Sequence, residues 1–515
     1  MSSIAHGTES QALQAPSSRR SQTFLRIVVL TVLFTAAASY EVRQLSSLSS
    51  AEVWIHLRTG SWILQNHAVP HTGLFSQYTN LSWNDSSWGF DLLLGIAYRL
   101  FGLRAIPIIT MLLKVALAIV TYQLARAGRS RFWQSVLLSA VAQFLIYGLQ
   151  PLPYVCSILF LAVELRILNL SRQEGSSTQA LFWLPVLFVL WANLHAQFIL
   201  GLGVLMLFAV CEIVEGKLRT FGAQWISNRF VSSDTGKVGL VALSSFAATL
   251  VNPYTYHLFP VALKSLYSGA EFKYFLEFQA LDFRRPQHYV MMLLVMTAFL
   301  SLGRLRSIAL FELAILLGAT GVAFRIQRDN WFVVLPAIAL FSSGVFWLPK
   351  EEESTASRAR AMAWAWAALL PVAVILVGIL ALPGKEELIN KLSETMPVKA
   401  CDYIRAHQLR GPIFNTYAFG SFLTWYLPDY PVVIDVRNEL YGDQMLDDYN
   451  SVIQGNRRIE DAPMLAQAGT LLLEKNSGLG RALTTFPVLE ARYEQVYSDD
   501  LASVFVPLPT QDLGK

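Results

Sequence analysis

Trp88-Gly-Phe-Asp91-Leu-Leu-Leu-Gly-Ile-Ala-Tyr-Arg99-Leu-Phe101 is the stretch on which the reading of this chain turns. A helix needs about 20 mostly apolar residues to cross the hydrocarbon of a bilayer; this one is short and carries an acid and a base. Cleaner apolar runs lie near 24–42, 105–125, 132–150, 152–170, 180–194, 197–214, 237–251, 287–302, 307–323, 330–348 and 361–382. If only those eleven cross, the loops with Arg126/Arg129/Arg131, Arg166/Arg172, Lys217/Arg219/Arg229/Lys237, Arg304/Arg306 and Lys350/Arg358/Arg360 all share one side, as the cytoplasmic face requires. Counting 88–101 as a further crossing throws the Arg126/Arg129/Arg131 cluster to the other side. The stretch is therefore expected to be a juxtamembrane or partly embedded helix on the outer surface. The fold class that follows is an all-α polytopic membrane domain of about eleven transmembrane helices with a C-terminal soluble α/β domain.

Composition agrees with a membrane protein. Of 515 residues 54% are hydrophobic and 15% charged, with mean hydropathy +0.43, too apolar for a soluble chain of this size. The net charge of +4 comes from basic residues in short loops, which report topology and give no reason to expect a nucleic-acid partner. Arg19, Arg20 and Arg26 precede the first run without a convincing cleavage site, so a retained signal anchor with a cytoplasmic N-terminus is expected. The expected layout is a disordered cytoplasmic tail at 1–22 and a multi-pass domain at 23–382 with a large first exoplasmic loop at 43–103. An exoplasmic α/β domain follows at 383–515. In that last part Pro412-Ile-Phe-Asn, Pro431-Val-Val-Ile-Asp and Thr470-Leu-Leu-Leu-Glu read as strands, helices are expected at 396–408, 443–454 and 459–468, and a hairpin turns at Asp499-Asp500.

With this topology most of the unusual polar residues gather on the outer side. Glu52-Val-Trp-Ile-His56-Leu-Arg58-Thr-Gly60 follows the first span. Glu52 and His56 are four apart, so on a helix they share a face, and such a carboxylate can take a proton from a hydroxyl acceptor; the same spacing also fits a helix whose Glu and His merely face water. Trp54, Trp62, Trp83 and Trp88 suit a headgroup-level aromatic belt or stacking on a sugar or lipid. Trp191-Ala-Asn193-Leu-His195 and Asn252-Pro253-Tyr254 break apolar runs on this side. Asn252 and Pro253 suit helix capping, whereas His195 has no such explanation. Arg325-Ile-Gln-Arg328-Asp329-Asn330 places two arginines, one helical turn apart, where positive-inside forbids them. Guanidinium groups bind phosphate in bidentate fashion, and an ion pair of Arg328 with Asp329 is the plainer alternative. Lys114 and Glu312, deeper in their spans, fit a pair with each other or a cavity lining. The chain has no GK[ST], HExxH, CxxC, GxSxG or GxGxxG pattern, so nucleotide hydrolysis is not indicated. Glu52, Asp85 and Asp91 share one loop, which leaves a divalent metal open.

An early long outer loop with a carboxylate, many spans of uneven length, arginine at an outer corner and a soluble C-terminal domain together resemble the GT-C superfamily of membrane glycosyltransferases, over the whole chain. More narrowly, the chain is similar to a bacterial multi-pass group whose first loop reads Asp-Pro-Asp-Leu-Trp-Trp-His-Leu-x-Thr-Gly. Here Ser50 stands at the first acid and Glu52 at the second. The group's later motifs match Trp191, Asn193, His195, Asn252, Pro253 and Arg325 or Arg328, and, in the C-terminal domain, Gly420-Ser-Phe-Leu-Thr-Trp425-Tyr-Leu-Pro428 and Val433-Ile-Asp435-Val-Arg437-Asn-Glu-Leu-Tyr441-Gly442. The resemblance implies transfer of a sugar from a polyprenyl-phosphate-linked donor to an envelope glycan, lipid or protein, at the outer face of a bacterial inner membrane. Glu52 and His56 would be catalytic, Arg325 and Arg328 would bind the donor phosphate, and Asn193, His195, Asn252, Tyr254 and Trp88 would line the cavity. Two other readings share the pattern: a transporter or flippase for a lipid-linked glycan, which inverted repeats and helices broken at mid-membrane would mark, and an inactive relative serving as a scaffold in envelope assembly.

Overall fold

The structure is a computed structural model that describes residues 16–508 apart from 128–130, 173–177, 227–234, 265, 267–268, 306, 343–356, 457–461, 487–488 and 490–491. Most of the expected N-terminal tail, together with Arg129, Arg229, Arg306 and Lys350, therefore lies outside the described residues. The protein is a multi-span membrane protein, mostly helical, with a small C-terminal mixed sheet. Among the described residues five helical stretches are long and apolar enough to cross a bilayer: Gln22–Gln44, Trp88–Ala125, Tyr154–Ser171, Phe198–Thr220 and Pro286–Gly303. A sixth arises if Leu369–Leu380 and Lys385–Leu392, bent by 82°, make one span. Of the roughly eleven expected spans, five or six are thus long and apolar enough by themselves, and three more of the expected runs hold shorter apolar helices, Phe132–Leu145, Gln179–Leu194 and Thr235–Ala248. Several apolar runs are longer than the helices they form: 132–150 is helical only over Phe132–Leu145, stopping before Gly148 at φ +70°, and 237–251 only as far as Ala248.

The 88–101 stretch is a helix that runs through a single 3-10 turn, Gly102–Arg104, into Ala105–Ala125. Gly102 has φ +58°, a backbone conformation that favours glycine. The combined 38 residues are about 57 Å of helix, roughly twice what one crossing uses. The surplus turns pack on helix Val53–Asn66. Helix Trp331–Leu340 is buried along its whole length; apolar on every side, it is the interior of the bundle.

Buried charges pin the bundle at both ends. Glu41 closes the first helix: its carboxylate accepts from Lys114 Nζ (2.8 Å), Ser46 Oγ (2.7 Å) and the Ser47 amide (2.9 Å). Glu312 meets Arg172 Nη1 at 2.6 Å, and Arg172 also reaches Glu212 (2.6 Å) and Glu215 (2.9 Å). Lys114 and Glu312 are therefore not partners. They lie at different levels of the bundle, and each takes the opposite charge nearest to it, because an unpaired buried ion is far costlier than a paired one.

The C-terminal sheet has four strands, β1 (Ile413–Asn415), β2 (Thr470–Glu474), β3 (Tyr493–Ser498) and β4 (Ala502–Pro507), in the order β1-β2-β4-β3. β1 and β2 run parallel with Ile413 opposite Thr470, and the other two pairings are antiparallel. The β3–β4 hairpin turns at Asp499, whose Oδ1 accepts from the amides of Leu501 and Ala502 at 2.8 Å each. Pro431–Asp435, expected as a strand, makes only single bridges, Val432 to Ser76 and to Ile413. Pro431 has no amide to donate, and one edge of this segment is taken by Ser76 of the loop that follows the first helix. Helices Val398–Ala406 and Asn438–Ile453 fall where helices were expected, whereas Tyr417–Tyr426 and Gly478–Thr485 were not anticipated.

The first loop is fastened to this domain. Arg437, fully buried, donates to Asp435 through Nε (2.9 Å) and Nη2 (2.6 Å) and to Leu74 O (2.7 Å), and its guanidinium lies 4.6 Å from the Trp83 ring and 5.7 Å from the Phe75 ring. Trp54, with no exposed surface, packs 5.4 Å from Phe422 and 4.7 Å from Trp425. Trp54 and Trp83 are thus packing groups between loop and domain, not members of an aromatic belt.

Candidate active site

Helix Val53–Asn66 begins immediately after Glu52, which places Glu52 and His56 on one face. This helix crosses Trp88–Phe101 at backbone contact: a Cβ on Gly60 would stand 1.9 Å from Asp91 O, and one on Gly95 would stand 2.7 Å from Gly60 C. Only glycines allow that approach. Its consequence is that His56 Nδ1 lies 2.7 Å from Asp91 Oδ1, with Asp91 2% and His56 16% exposed on their side chains. The acid that disqualifies 88–101 as a plain span is the partner of the loop histidine. Burial pushes His56 below its ordinary range, with the charges of Asp85, Glu52 and Glu439 opposing it.

Asp85 is buried beside them. Its Oδ1 accepts from the Ser87 amide (3.0 Å) and hydroxyl (3.1 Å). Burial and the neighbouring charge of Asp91 hold its carboxyl well above the usual carboxylate range.

Glu52 is half-buried. Burial, then the charge of Glu277, raises its carboxyl above the ordinary 4.5, against the opposing charges of Arg328 and His56. Arg328, far away in sequence, is thus one of the two charges that oppose the rise. Its guanidinium lies 4.0 Å over the Phe278 ring, 3.7 Å from Glu277 Oε1 and 3.9 Å from Asp329 Oδ1, so its charge is partly compensated. The turn that carries it is held rigidly: Asp329 Oδ1 accepts from Gln197 Nε2 (3.1 Å) and Trp331 Nε1 (3.3 Å), and Asn330 Nδ2 donates to Leu145 O (3.0 Å). Arg325 does not join this group. It is exposed at the end of its helix, 5.3 Å over Phe272.

His195 caps helix Leu184–Leu194 in extended conformation, and its Nδ1 lies 2.8 Å from Ser157 Oγ. Burial pushes its pKa down to about 3, with the charges of Arg328 and His56 adding to the effect. The remaining candidates hold the frame. Asn193 accepts from Trp88 Nε1 (3.0 Å) and donates to Val189 O and Val251 O (2.7 Å each), tying three segments together. Asn252 closes its turn on Thr249 O and Thr255 O and accepts from the Tyr254 amide (2.8 Å), the capping role. Tyr254 Oη donates to Pro70 O at 2.7 Å and its ring meets His71 at 5.2 Å. Trp88, Asn193 and Asn252 also line an apolar groove of about 690 Å³ with Leu93, Leu190 and Pro253.

Sequence reasoning missed three acids: Asp91 as the partner of His56, Glu277 beside Arg328, and Glu439 of the C-terminal domain, which accepts from Trp83 Nε1 at 3.0 Å and whose charge reaches Glu52 and His56. Only Asp91 left a signal, as a carboxylate in an otherwise apolar run. For a divalent metal the donors do not fit, since no three His, Cys, Asp or Glu side chains among the described residues come close enough to share an ion.

No family model matches the sequence, and no curated protein matches it. Solved structures do. The oligosaccharyltransferase AglB from Archaeoglobus fulgidus, in complex with an inhibitory peptide and a dolichol-phosphate, superposes with a TM-score of 0.55 at 11% identity, over 92% of this chain and 72% of that one. The A. fulgidus oligosaccharyltransferase tethered to an acceptor peptide gives 0.50 at 10%, over 95% and 74%. ArnT from Cupriavidus metallidurans in the apo state gives 0.46 at 12%, over 95% and 98%.

Proposed function

We propose that this protein, which has the GT-C glycosyltransferase fold over more than nine tenths of its length, transfers a sugar from a polyprenyl-phosphate-linked donor to an acceptor hydroxyl or amide at the outer face of a bacterial inner membrane. The acceptor is an envelope glycan, lipid or protein. The reading is supported by the fold and by the charge of Arg328 reaching the Glu52 carboxyl; a glycosyl transfer needs one such group at each end of the bond being exchanged. The bond from the anomeric carbon to phosphate oxygen breaks while a bond to the acceptor forms. Glu52 takes the acceptor's proton, and Arg328 holds the charge that develops on the departing polyprenyl phosphate. Asp91 orients His56 beside Glu52. The apolar groove at Trp88 and Leu93 offers a seat for the polyprenyl chain, and AglB, whose structure holds a dolichol-phosphate, supports that class of lipid. Residues 383–515 form the exoplasmic domain that brings Glu439 to the site, with the N-terminus on the cytoplasmic side.

The test is release of polyprenyl phosphate from a panel of lipid-linked sugars by the purified full-length protein in lipid. Release that depends on added acceptor is expected for at least one donor. Binding of donors with no release from any of them, in protein that is folded by its melting transition, contradicts the assignment and favours transport or a scaffold.

A further inference from the structure

A chain of hydrogen bonds behind His195 decides which of its nitrogens carries the proton. Trp191 Nε1 lies 2.7 Å from Ser157 Oγ, and an indole N–H can only donate, so Ser157 accepts from Trp191. Ser157 is fully buried, and its own hydroxyl proton has no acceptor among the described residues other than His195 Nδ1 at 2.8 Å. A buried hydroxyl left without an acceptor is strongly disfavoured, so Ser157 donates to Nδ1. Nδ1 therefore accepts, and the ring's single proton sits on Nε2, which has no hydrogen-bond partner among the described residues. His195 is half-buried; it lies within reach of the charges of Arg328 and His56, and burial holds its pKa down at about 3.

We infer that His195 is a neutral, tautomer-fixed Nε2–H donor that works beside Arg328 on an oxygen of the donor's phosphate, with Ser157 and Trp191 as its positioning residues. This rests on the glycosyl-transfer reading above. It sets His195 apart from Glu52: one group takes a proton from the acceptor, while the other keeps its proton and lends it to the leaving group's oxygen. A neutral donor also leaves the cationic charge of the site to Arg328, so that the phosphate is held by one guanidinium and one dipole.

The experiment uses the full-length protein in lipid, labelled with ¹⁵N-histidine, with the His195 signals identified by their loss in His195→Gln, and farnesyl phosphate as the binding probe. The expected ¹⁵N pattern is that of a neutral ring protonated on Nε2, unchanged from pH 5 to pH 8, and turning to mixed tautomers in Ser157→Ala. Farnesyl phosphate is expected to bind about tenfold more weakly to His195→Leu, the worth of one hydrogen bond, while His195→Gln, which keeps a donor, stays within about threefold of wild type. An Nδ1-protonated ring, a ring that titrates between pH 5 and pH 8, or unchanged binding in His195→Leu overturns the inference and leaves the glycosyl-transfer reading standing. The expected tautomer in a wild-type protein that does not bind farnesyl phosphate overturns both.

Discussion

Replacing Arg437 by Met tests how firmly the loop after the first helix, and with it Glu52 and His56, is held to the C-terminal domain. The substitution keeps most of the side chain's length and removes its charge. Asp435, with no exposed surface, then loses both guanidinium bonds and keeps only the Tyr441 hydroxyl (2.8 Å) and the amide of residue 437 (3.0 Å); the loop loses the bond to Leu74 O. Breaking one side of a buried ion pair costs about 3–5 kcal/mol. The two bonds left to Asp435 place this case at the low end, about 3 kcal/mol, which corresponds to roughly a hundredfold in a local opening equilibrium. Hydrogen exchange reads it directly: the Gln77 amide donates to Val432 O at 2.9 Å and the Val432 amide to Phe75 O at 3.2 Å, so both should exchange about a hundredfold faster in Arg437→Met. The amides of β2, away from the loop, should be unaffected. The pairing argument also requires Asp435→Asn to restore part of the protection when combined with Arg437→Met. Exchange at Gln77 and Val432 within threefold of wild type in Arg437→Met would refute the reasoning.

Three further outcomes are expected. Because the folded-state carboxyl of Glu52 sits above its ordinary 4.5, turnover should fall tenfold per pH unit on the acid side through a midpoint above 4.5. In stability the same shift has the opposite sense: its contribution is fully present below 4.5 and lost as pH rises through the folded value, a loss that Glu52→Gln should remove from the pH dependence of the melting transition. Gly60→Ala puts a methyl group where Asp91 O already stands, so the two helices must part; a loss of about 1–3 kcal/mol or more in stability and a displaced ¹⁵N signal for His56 are expected, and wild-type values for both would show that the crossing is looser than described. Lys114→Met leaves Glu41 buried with only Ser46 and Ser47 as donors, so thermal aggregation in detergent should begin well below wild type, whereas Glu41→Leu with Lys114→Leu should recover most of the difference; equal behaviour of the single and double variants contradicts the pairing.

Glu52, His56 and Arg328 stand out in the sequence because each departs from its surroundings: an acid and an imidazole one helical turn apart beside a span, and an arginine that the expected topology sets opposite the basic loops. What the sequence left out depends on contacts between distant segments. Asp91 reaches His56 only because Gly60 and Gly95 let two helices touch, and neither glycine shows that by itself. Glu277 and Glu439 come from a loop and a domain whose placement follows from packing such as Arg437 between Trp83 and Phe75. Arg325 and Arg328 look equivalent as a pair one turn apart, but the helix ends at Arg325 and the next turn redirects the chain, so Arg325 lies over Phe272 while the charge of Arg328 reaches Glu52. The length of each span was not legible, because an apolar run records only what is dry: Trp331–Leu340 is dry from being surrounded by protein.

The most direct measurement is the rate of polyprenyl phosphate release by Glu52→Gln beside wild type, with the same donor and acceptor and with donor binding measured in parallel. With Glu52 as the base, release should fall by about 10²–10⁴ while donor binding stays within a few-fold. Release by Glu52→Gln at the wild-type rate contradicts the account at its centre.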